Sequence, residues 1–343
     1  MAKIVYGVAG QGFGHATRSQ EILKYLVSQG HQVLVLTYGQ ALFFLAAEFE
    51  VFEIPGLGLS YQDNKLVYWR TIYKNASQLA KQSKNWRKIL RRFRDFNPDF
   101  VITDFEPLSA LLAKVQRVPL ISLDNQHQLT NTKIELPWQY RRDLLADQLA
   151  IKSMVWGANY YLITSFFETK ITKPKTFLFP PILRQEILKL KPQRQDFILV
   201  YQTSDFDGIV KELKKIKENF VVVGFDREEQ VGRLQFKKYS HDEWLNDLAN
   251  CKAVVGNAGL SLIGECLYLG KPYLAIPVAK QVEQIINAVY LQRKFYGRFI
   301  PYFSQAEFAD FMKDHSKFEA NLKKYRRQDN GAIKKKLDEI IGQ

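Results

Sequence analysis

Eight short runs rich in Val, Ile and Leu constrain the fold of this chain more than any other feature. Lys3–Val8, Gln32–Thr37, Phe100–Thr103 and Leu120–Leu123 lie in the first half. Phe197–Tyr201, Phe220–Val223, Ala253–Val255 and Tyr273–Ile276 lie in the second. Such runs mark strands buried on both faces. Between them are stretches of helical period, such as Ser19–Ser28, whose Ile22, Leu23, Leu26 and Val27 share one face. Helical patterns also fall near 207–217, 242–248, 261–269 and 282–293. Alternation of this kind predicts α/β domains, each a parallel sheet covered by helices. The rhythm breaks over Ile171–Arg194, where Pro174, Pro180, Pro181 and Pro192 stand among charges. With 343 residues, the chain is expected to hold two doubly wound domains in tandem, 1–170 and 196–304, joined by a linker over 171–195. The segment 305–343 is expected to be helical and to pack back toward the N-terminal domain.

No apolar run reaches the ~18–20 residues of a membrane span. The opening MAKIVYGVAGQG reads as a strand and not as a leader. Cys251 and Cys266 have no metal-ligand spacing, so a reduced, cytoplasmic setting is expected. The net charge is +14. Lys81, Lys84, Arg87, Lys88, Arg91, Arg92 and Arg94 crowd one segment that also carries Trp86, Ile89, Leu90 and Phe93. That segment is either a solvated helix face or a dock for an anionic membrane surface, which would make the protein peripheral on the cytoplasmic side. Nucleic acid is not favoured, because no binding module accompanies the charge.

In open α/β sheets, ligands sit beyond the carboxyl ends of strands. The first strand runs into Gly10-Gln11-Gly12-Phe13-Gly14-His15, followed by Arg18. A dinucleotide fingerprint would carry its third glycine where His15 stands and an acid after the second strand, where Thr37-Tyr38-Gly39 stands instead. The loop therefore reads as one that presents His15, whose imidazole can act as a base near neutral pH. Asp104 is the candidate partner that orients the ring, and Glu106 is its competitor. Asp124, Gln126 and His127 follow the next strand as candidate acceptor-side groups, although any of these could cap a helix.

The stretch Gly256–Ala288 is the richest in signals. Small residues through Gly259, Leu260 and Ser261 open a helix whose backbone N–H groups can face a phosphate. Glu265, four residues after Ser261, shares that helix face and can accept ribose hydroxyls. Beyond Pro277, Glu283, Gln284 and Asn287 stand at helical spacing and can bond sugar hydroxyls.

Gly259, Glu265, Gly270, Pro272, Pro277, Glu283-Gln284 and Asn287-Ala288 together resemble the donor-binding signature of GT-B nucleotide-sugar glycosyltransferases. The likeness is to the UDP-glycosyltransferases and the lipid-linked N-acetylglucosaminyl transferase of peptidoglycan synthesis. It implies two Rossmann-like domains about a central cleft and an inverting transfer from a UDP-sugar to an acceptor hydroxyl, on a lipid or other acceptor. The UDP-sugar would be a co-substrate, with no cofactor and no bound metal. The resemblance gives His15 the role of base with Asp104, and sets Gly12, Gly14 and Arg18 on the acceptor side. Gly259, Leu260 and Ser261 would hold the diphosphate and Glu265 the ribose, while Thr203 and Ser204 would close over the phosphates. Glu283 and Gln284 would contact the sugar, Asn287 would support the loop, and Gln281 would join because the Pro277–Gln284 segment is longer than usual. Asn257 stands where plant-type relatives carry a histidine on the phosphate. A nucleotide-sugar 2-epimerase and a non-catalytic basic surface-binding protein are the alternatives.

Overall fold

The protein is described by a computed structural model covering residues 1–10, 13–56, 61–62, 65–66, 83–202, 206–225 and 227–342. Gly12, Lys81, Thr203 and Ser204 lie outside the described residues. The chain forms two compact units, Met1–Ile182 with Asn330–Gln343, and Leu183–Asp329.

The first unit begins with β1 (Lys3–Val8), α1 (Phe13–Ser28), β2 (Gln32–Thr37), α2 (Gly39–Leu45) and β3 (Val51–Glu53). A short pair, β4 (Tyr61–Gln62) and β5 (Lys65–Leu66), leads to α3 (Ser83–Phe96), β6 (Phe100–Asp104), α4 (Pro107–Gln116) and β7 (Leu120–Asp124). Then come α5 (Gln128–Asn131), a 3-10 turn at Trp138–Tyr140, α6 (Arg141–Met154), β8 (Tyr160–Thr164) and β9 (Thr176–Phe179). The sheet has seven strands in the order β3-β2-β1-β6-β7-β8-β9, and every pairing in it is parallel. Strand order reverses between β1 and β6, which opens a crevice at their carboxyl ends. Val8 pairs with Asp104 at that point.

The second unit holds α7 (Gln185–Lys189), β10 (Ile198–Tyr201), α8 (Phe206–Leu213), β11 (Phe220–Val223), β12 (Glu229–Val231) and β13 (Leu234–Lys237). It continues through α9 (His241–Asn250), β14 (Ala253–Gly256), α10 (Leu260–Leu269), β15 (Tyr273–Ala275), α11 (Val282–Arg293) and β16 (Gly297–Phe299). Its strand order is β12-β13-β11-β10-β14-β15-β16, with only β12 antiparallel. The reversal here falls between β10 and β14, so Gly256 stands at the second crevice.

Two expectations about the chain's organisation are corrected. The segment 171–195 is not a bare linker, because β9 completes the first sheet and α7 belongs to the second unit. The prolines flank β9 without entering it, so its backbone donors remain available to β8. The C-terminal helices also divide between the units. α12 (Gln305–Lys313) and α13 (His315–Leu322) place Phe308, Phe311 and Phe318 in the second core. Only α14 (Gly331–Ile341) joins the first, through Ile333, Leu337 and Ile340.

α14 is further tied by Tyr25, whose hydroxyl donates to Asp338 at 2.5 Å, and by Lys334 over the Tyr25 ring. Leu337 is fully buried in the first core. Leu337→Ala is therefore expected to lower stability by about 2–5 kcal/mol. A urea titration would show this as an earlier midpoint; an unchanged midpoint would mean that α14 is not part of that cooperative unit.

Candidate functional site

α1 begins at Phe13, so His15 lies in its first turn. Gly10 is explained by packing: a Cβ there would fall 2.0 Å from the Tyr38 carbonyl oxygen. The same closeness lets the Gly10 carbonyl accept the Gln40 N–H. His15 Nδ1 lies 2.8 Å from Asp104 Oδ1 and 2.9 Å from Arg18 Nη2. An ionised carboxylate only accepts, so Nδ1 must carry the proton that fills the 2.8 Å contact. In the neutral ring, that tautomer would leave the lone pair on Nε2, the ring nitrogen that neither Asp104 nor Arg18 engages.

Asp104 is fully buried. It accepts from His15 Nδ1, from Arg18 Nε at 2.7 Å and Nη2, and from Ser19 Oγ at 2.9 Å. Burial alone would push its carboxyl up, but the Arg18 and His15 charges and hydrogen bonds outweigh that and hold it well below the usual range. Arg18 spends its remaining donor Nη1 on Asn125 Oδ1 at 2.6 Å. Arg18 is thus buried and holds Asp104, instead of standing on the acceptor side as expected. Gly14 is exposed in the same first turn. Phe105, with φ +52, takes a left-handed conformation that bulky side chains rarely adopt. The turn separates Asp104, which faces α1, from Glu106, which faces α4.

Three candidate residues are structural. Glu106 does not orient His15; it caps α4, accepting from Leu108 N at 2.9 Å and Ser109 N at 2.5 Å. Asp124 and His127 are buried and bond each other, at 2.7 Å between Oδ2 and Nδ1. His127 Nε2 meets the Val155 carbonyl at 3.2 Å, so this pair braces the β7–α5 turn and presents nothing to an acceptor. Gln126 is half-buried. Asn125, by contrast, joins the Arg18–Asp104 network, and its place in the polar run after β7 was its only mark in the sequence.

In the second unit, Gly259 caps α10 without a side-chain hydrogen bond. The N–H groups of Leu260, Ser261 and Leu262 have no acceptor within the helix. Gly259 has φ −71, and a Cβ there would meet no described atom within 4 Å. Among the described residues, neither conformation nor packing demands a glycine at that position, and it borders open space. The loop before it is fixed from behind. Asn287 Nδ2 donates to the Ala258 carbonyl at 3.0 Å, Tyr273 Oη to that of Asn257 at 2.5 Å, and Asn257 Nδ2 to that of Ile276 at 3.2 Å.

Glu265 lies one turn into α10, nearly buried, and Arg184 grips both its oxygens at 2.8 and 2.9 Å. Burial opposes the charge on Arg184, but Glu265 more than compensates and raises the guanidinium's pKa. Arg184 was not foreseen, since it stands in the segment read as a linker. Gln284 Oε1 accepts the Val278 N–H at 3.0 Å, closing the turn after β15. Gln281 caps α11, and it and Glu283 are half-buried. Among the described residues no group of three or more His, Cys, Asp or Glu could hold a metal ion. No described helix is long and apolar enough to cross a membrane.

Two doubly wound units with these loops at their strand ends define a GT-B glycosyltransferase. Residues 2–315 match the model of glycosyl transferase family 1, and the chain belongs to that family. An uncharacterised glycosyltransferase of Methanosarcina acetivorans is 22% identical, with 89% of this chain and 87% of the relative covered. A Bacillus cereus UDP-N-acetylglucosamine–N-acetylmuramyl-(pentapeptide) pyrophosphoryl-undecaprenol N-acetylglucosamine transferase is 35% identical, but over only 33% of this chain and 32% of its own length. The fold matches the calicheamicin glycosyltransferase with TM-score 0.67 at 16% identity, over 100% of this chain and 99% of that one. It also matches a Phytolacca americana enzyme solved with UDP-2-fluoro-glucose and pterostilbene, with TM-score 0.66 at 13% identity, over 94% and 93% of the chains.

Burial pushes the Glu106 carboxyl up to about 7, against the pull of the two backbone donors. A raised carboxyl contributes stability that is full below the unfolded value of 4.5 and is lost as pH rises through about 7. Glu106→Gln carries no such charge. Its melting temperature relative to the wild type is therefore expected to rise across that window. A constant difference would mean that Glu106 stays ionised throughout.

Proposed function

We propose that the chain is an inverting, metal-independent glycosyltransferase that moves a sugar from a UDP-sugar to an acceptor hydroxyl. The observation that carries this reading is the His15–Asp104 contact of 2.8 Å, which fixes the tautomer with Nε2 free to accept a proton. His15 would take the acceptor's proton as its oxygen attacks the anomeric carbon. The C1–O bond to UDP breaks as the new C1–O bond forms on the opposite face.

The leaving diphosphate would settle on the N–H groups that open α10, where Gly259 leaves room and the helix end carries partial positive charge. Glu265 suits a ribose. Arg184 occupies one lone-pair direction on each carboxylate oxygen, and a carboxylate has about four such sites. The two that remain can accept the 2′- and 3′-hydroxyls. Gln281, Glu283 and Gln284 are assigned to the sugar, and Tyr239, exposed beyond β13, to the neighbourhood of the base. The UDP-sugar bound to the Phytolacca enzyme supports a uridine nucleotide. A Streptomyces glycosyltransferase of the same fold was solved with thymidine diphosphate, so both nucleotides belong in a first screen. The local likeness to the N-acetylglucosaminyl transferase makes UDP-N-acetylglucosamine the first donor to try, and a lipid-linked hydroxyl the first acceptor.

His15→Ala is expected to cut turnover by ~10²–10⁴-fold with UDP affinity unchanged by calorimetry. Near wild-type turnover would remove His15 as the base. Formation of an epimerised UDP-sugar in place of released UDP would replace transfer with 2-epimerisation. For Glu265, the wild type should bind UDP about tenfold or more tightly than 2′-deoxy-UDP, the scale of a hydrogen bond to a charged group. Glu265→Gln should erase most of that preference. Equal discrimination in both proteins would sink the ribose role, whatever the substitution does to stability.

A further inference from the structure

α3, the basic segment singled out in the sequence, spends much of what it carries inside its own unit. Ile89 and Phe93 are buried. Lys88 lies over the Phe52 ring, Arg92 pairs with Glu50, Arg94 donates to Gln116 and Arg91 meets Asp95. Its apolar face is core, so it has little left to insert into a bilayer.

α6 has the opposite character. Leu145 and Leu149 are 60% and 69% exposed, Trp138 in the turn before the helix is 80% exposed, and Trp156 just after it is 46% exposed. At ~100° per residue, Arg141, Arg142, Leu145, Leu149 and Lys152 fall on one arc of the helix. All five are exposed. The acids Asp143 and Asp147 fall on the other side and are half-buried. Ile151, off that arc, is buried, and Gln148 at its edge donates to the Leu129 carbonyl at 2.7 Å, so the helix is anchored beside its exposed face. Lys173 adds to the positive edge: it stands close enough to Lys152 for that charge to lower its pKa, after the effect of burial. Two exposed leucines, an exposed tryptophan on either side of the helix, and three basic residues on the same arc form an amphipathic surface with its apolar side outward. Leucine gains by leaving water, tryptophan prefers the headgroup layer, and arginine and lysine meet lipid phosphates.

We propose that the outward face of α6, from Trp138 to Trp156, docks the protein on an anionic lipid bilayer. The occupant follows from charge complementarity: an arc with three basic residues and no acid fits a sheet of phosphates that also admits leucine. The inference rests on this surface alone and is independent of the sugar-transfer reading.

The test is sedimentation of the full chain with phosphatidylglycerol-containing vesicles and with pure phosphatidylcholine vesicles. The wild type is expected to partition onto the anionic vesicles, more weakly as salt rises, and little onto the neutral ones. Leu145→Ser/Leu149→Ser should lose about tenfold or more of that partitioning. Arg141→Ser/Arg142→Ser/Lys152→Ser should lose both partitioning and salt dependence. Each variant should keep the wild-type melting temperature, since the substituted side chains are exposed. No wild-type partitioning overturns the proposal, as does undiminished partitioning of both variants. A wild-type dimer that the leucine variant dissolves, with no vesicle binding, would assign the face to a second copy instead. Loss confined to Arg87→Ser on α3 would return the docking role to that helix.

Discussion

The buried charge of Asp104 is the constraint on which the β1–β6 crevice of the first unit depends. A lone carboxylate withdrawn from water would be expelled or neutralised. Here it accepts from His15, twice from Arg18, and from Ser19, all on the first turns of α1. Satisfying Asp104 therefore fixes the pose of α1 on the sheet and the orientation of the imidazole in one step. The carboxylate can stand there only because β6 pairs beside β1 and ends where α1 begins. Removing Arg18 would take two of those four hydrogen bonds and the guanidinium charge from a buried carboxylate, a kind of change that typically costs about 3–5 kcal/mol. Packing and chemistry are thus coupled through a single side chain.

The second unit meets the same problem with fewer parts and a weaker outcome, since burial outweighs the Arg184 charge and hydrogen bonds and leaves the Glu265 carboxyl raised above its usual value. Glu265 is answered by one forked guanidinium, and the loop before α10 is held by donors aimed at its carbonyls. These bonds fix the loop beside Gly259, where a Cβ would meet no described atom within 4 Å. Preorganised amides need no rearrangement when an anion arrives, which is where their electrostatic advantage comes from.

Eight interior strands were legible in the sequence because burial on both faces makes them continuous apolar runs, whereas the interior strands β8 and β13, with polar or half-buried residues in them, were not. Lys3–Val8, Gln32–Thr37 and Phe220–Val223 appear with the expected ends. The edge strands were not legible: β3, β12 and β16 are three residues each and only partly covered, and β9 is an apolar run hidden by the prolines on either side of it. The site was legible in part. His15 and Asp104 stand at strand ends and meet as expected. Glu106, Asp124 and His127 stand at equally suggestive positions, yet they close a helix and a turn. Caps and sites draw on the same short polar side chains, so position alone does not separate them. Arg184 was missed for the reverse reason: nothing local distinguishes it, and its partner lies 81 residues away.

Arg18 also decides what Asp104 can do for the imidazole. With a guanidinium forked onto it, Asp104 is already neutralised before His15 takes any proton. The carboxylate then acts on the ring chiefly by orientation, holding Nδ1–H so that Nε2 keeps its lone pair, and less by lending negative field. It also stays ionised while the ring is protonated, because Arg18 and His15 together hold its pKa well below the usual range despite burial. In the proposed reaction, a proton accepted at Nε2 would therefore remain on the imidazole and not pass to Asp104. The ring would give it up through Nε2, the side from which it came, so the proposed base would be reset through solvent or product and not by a relay into the core.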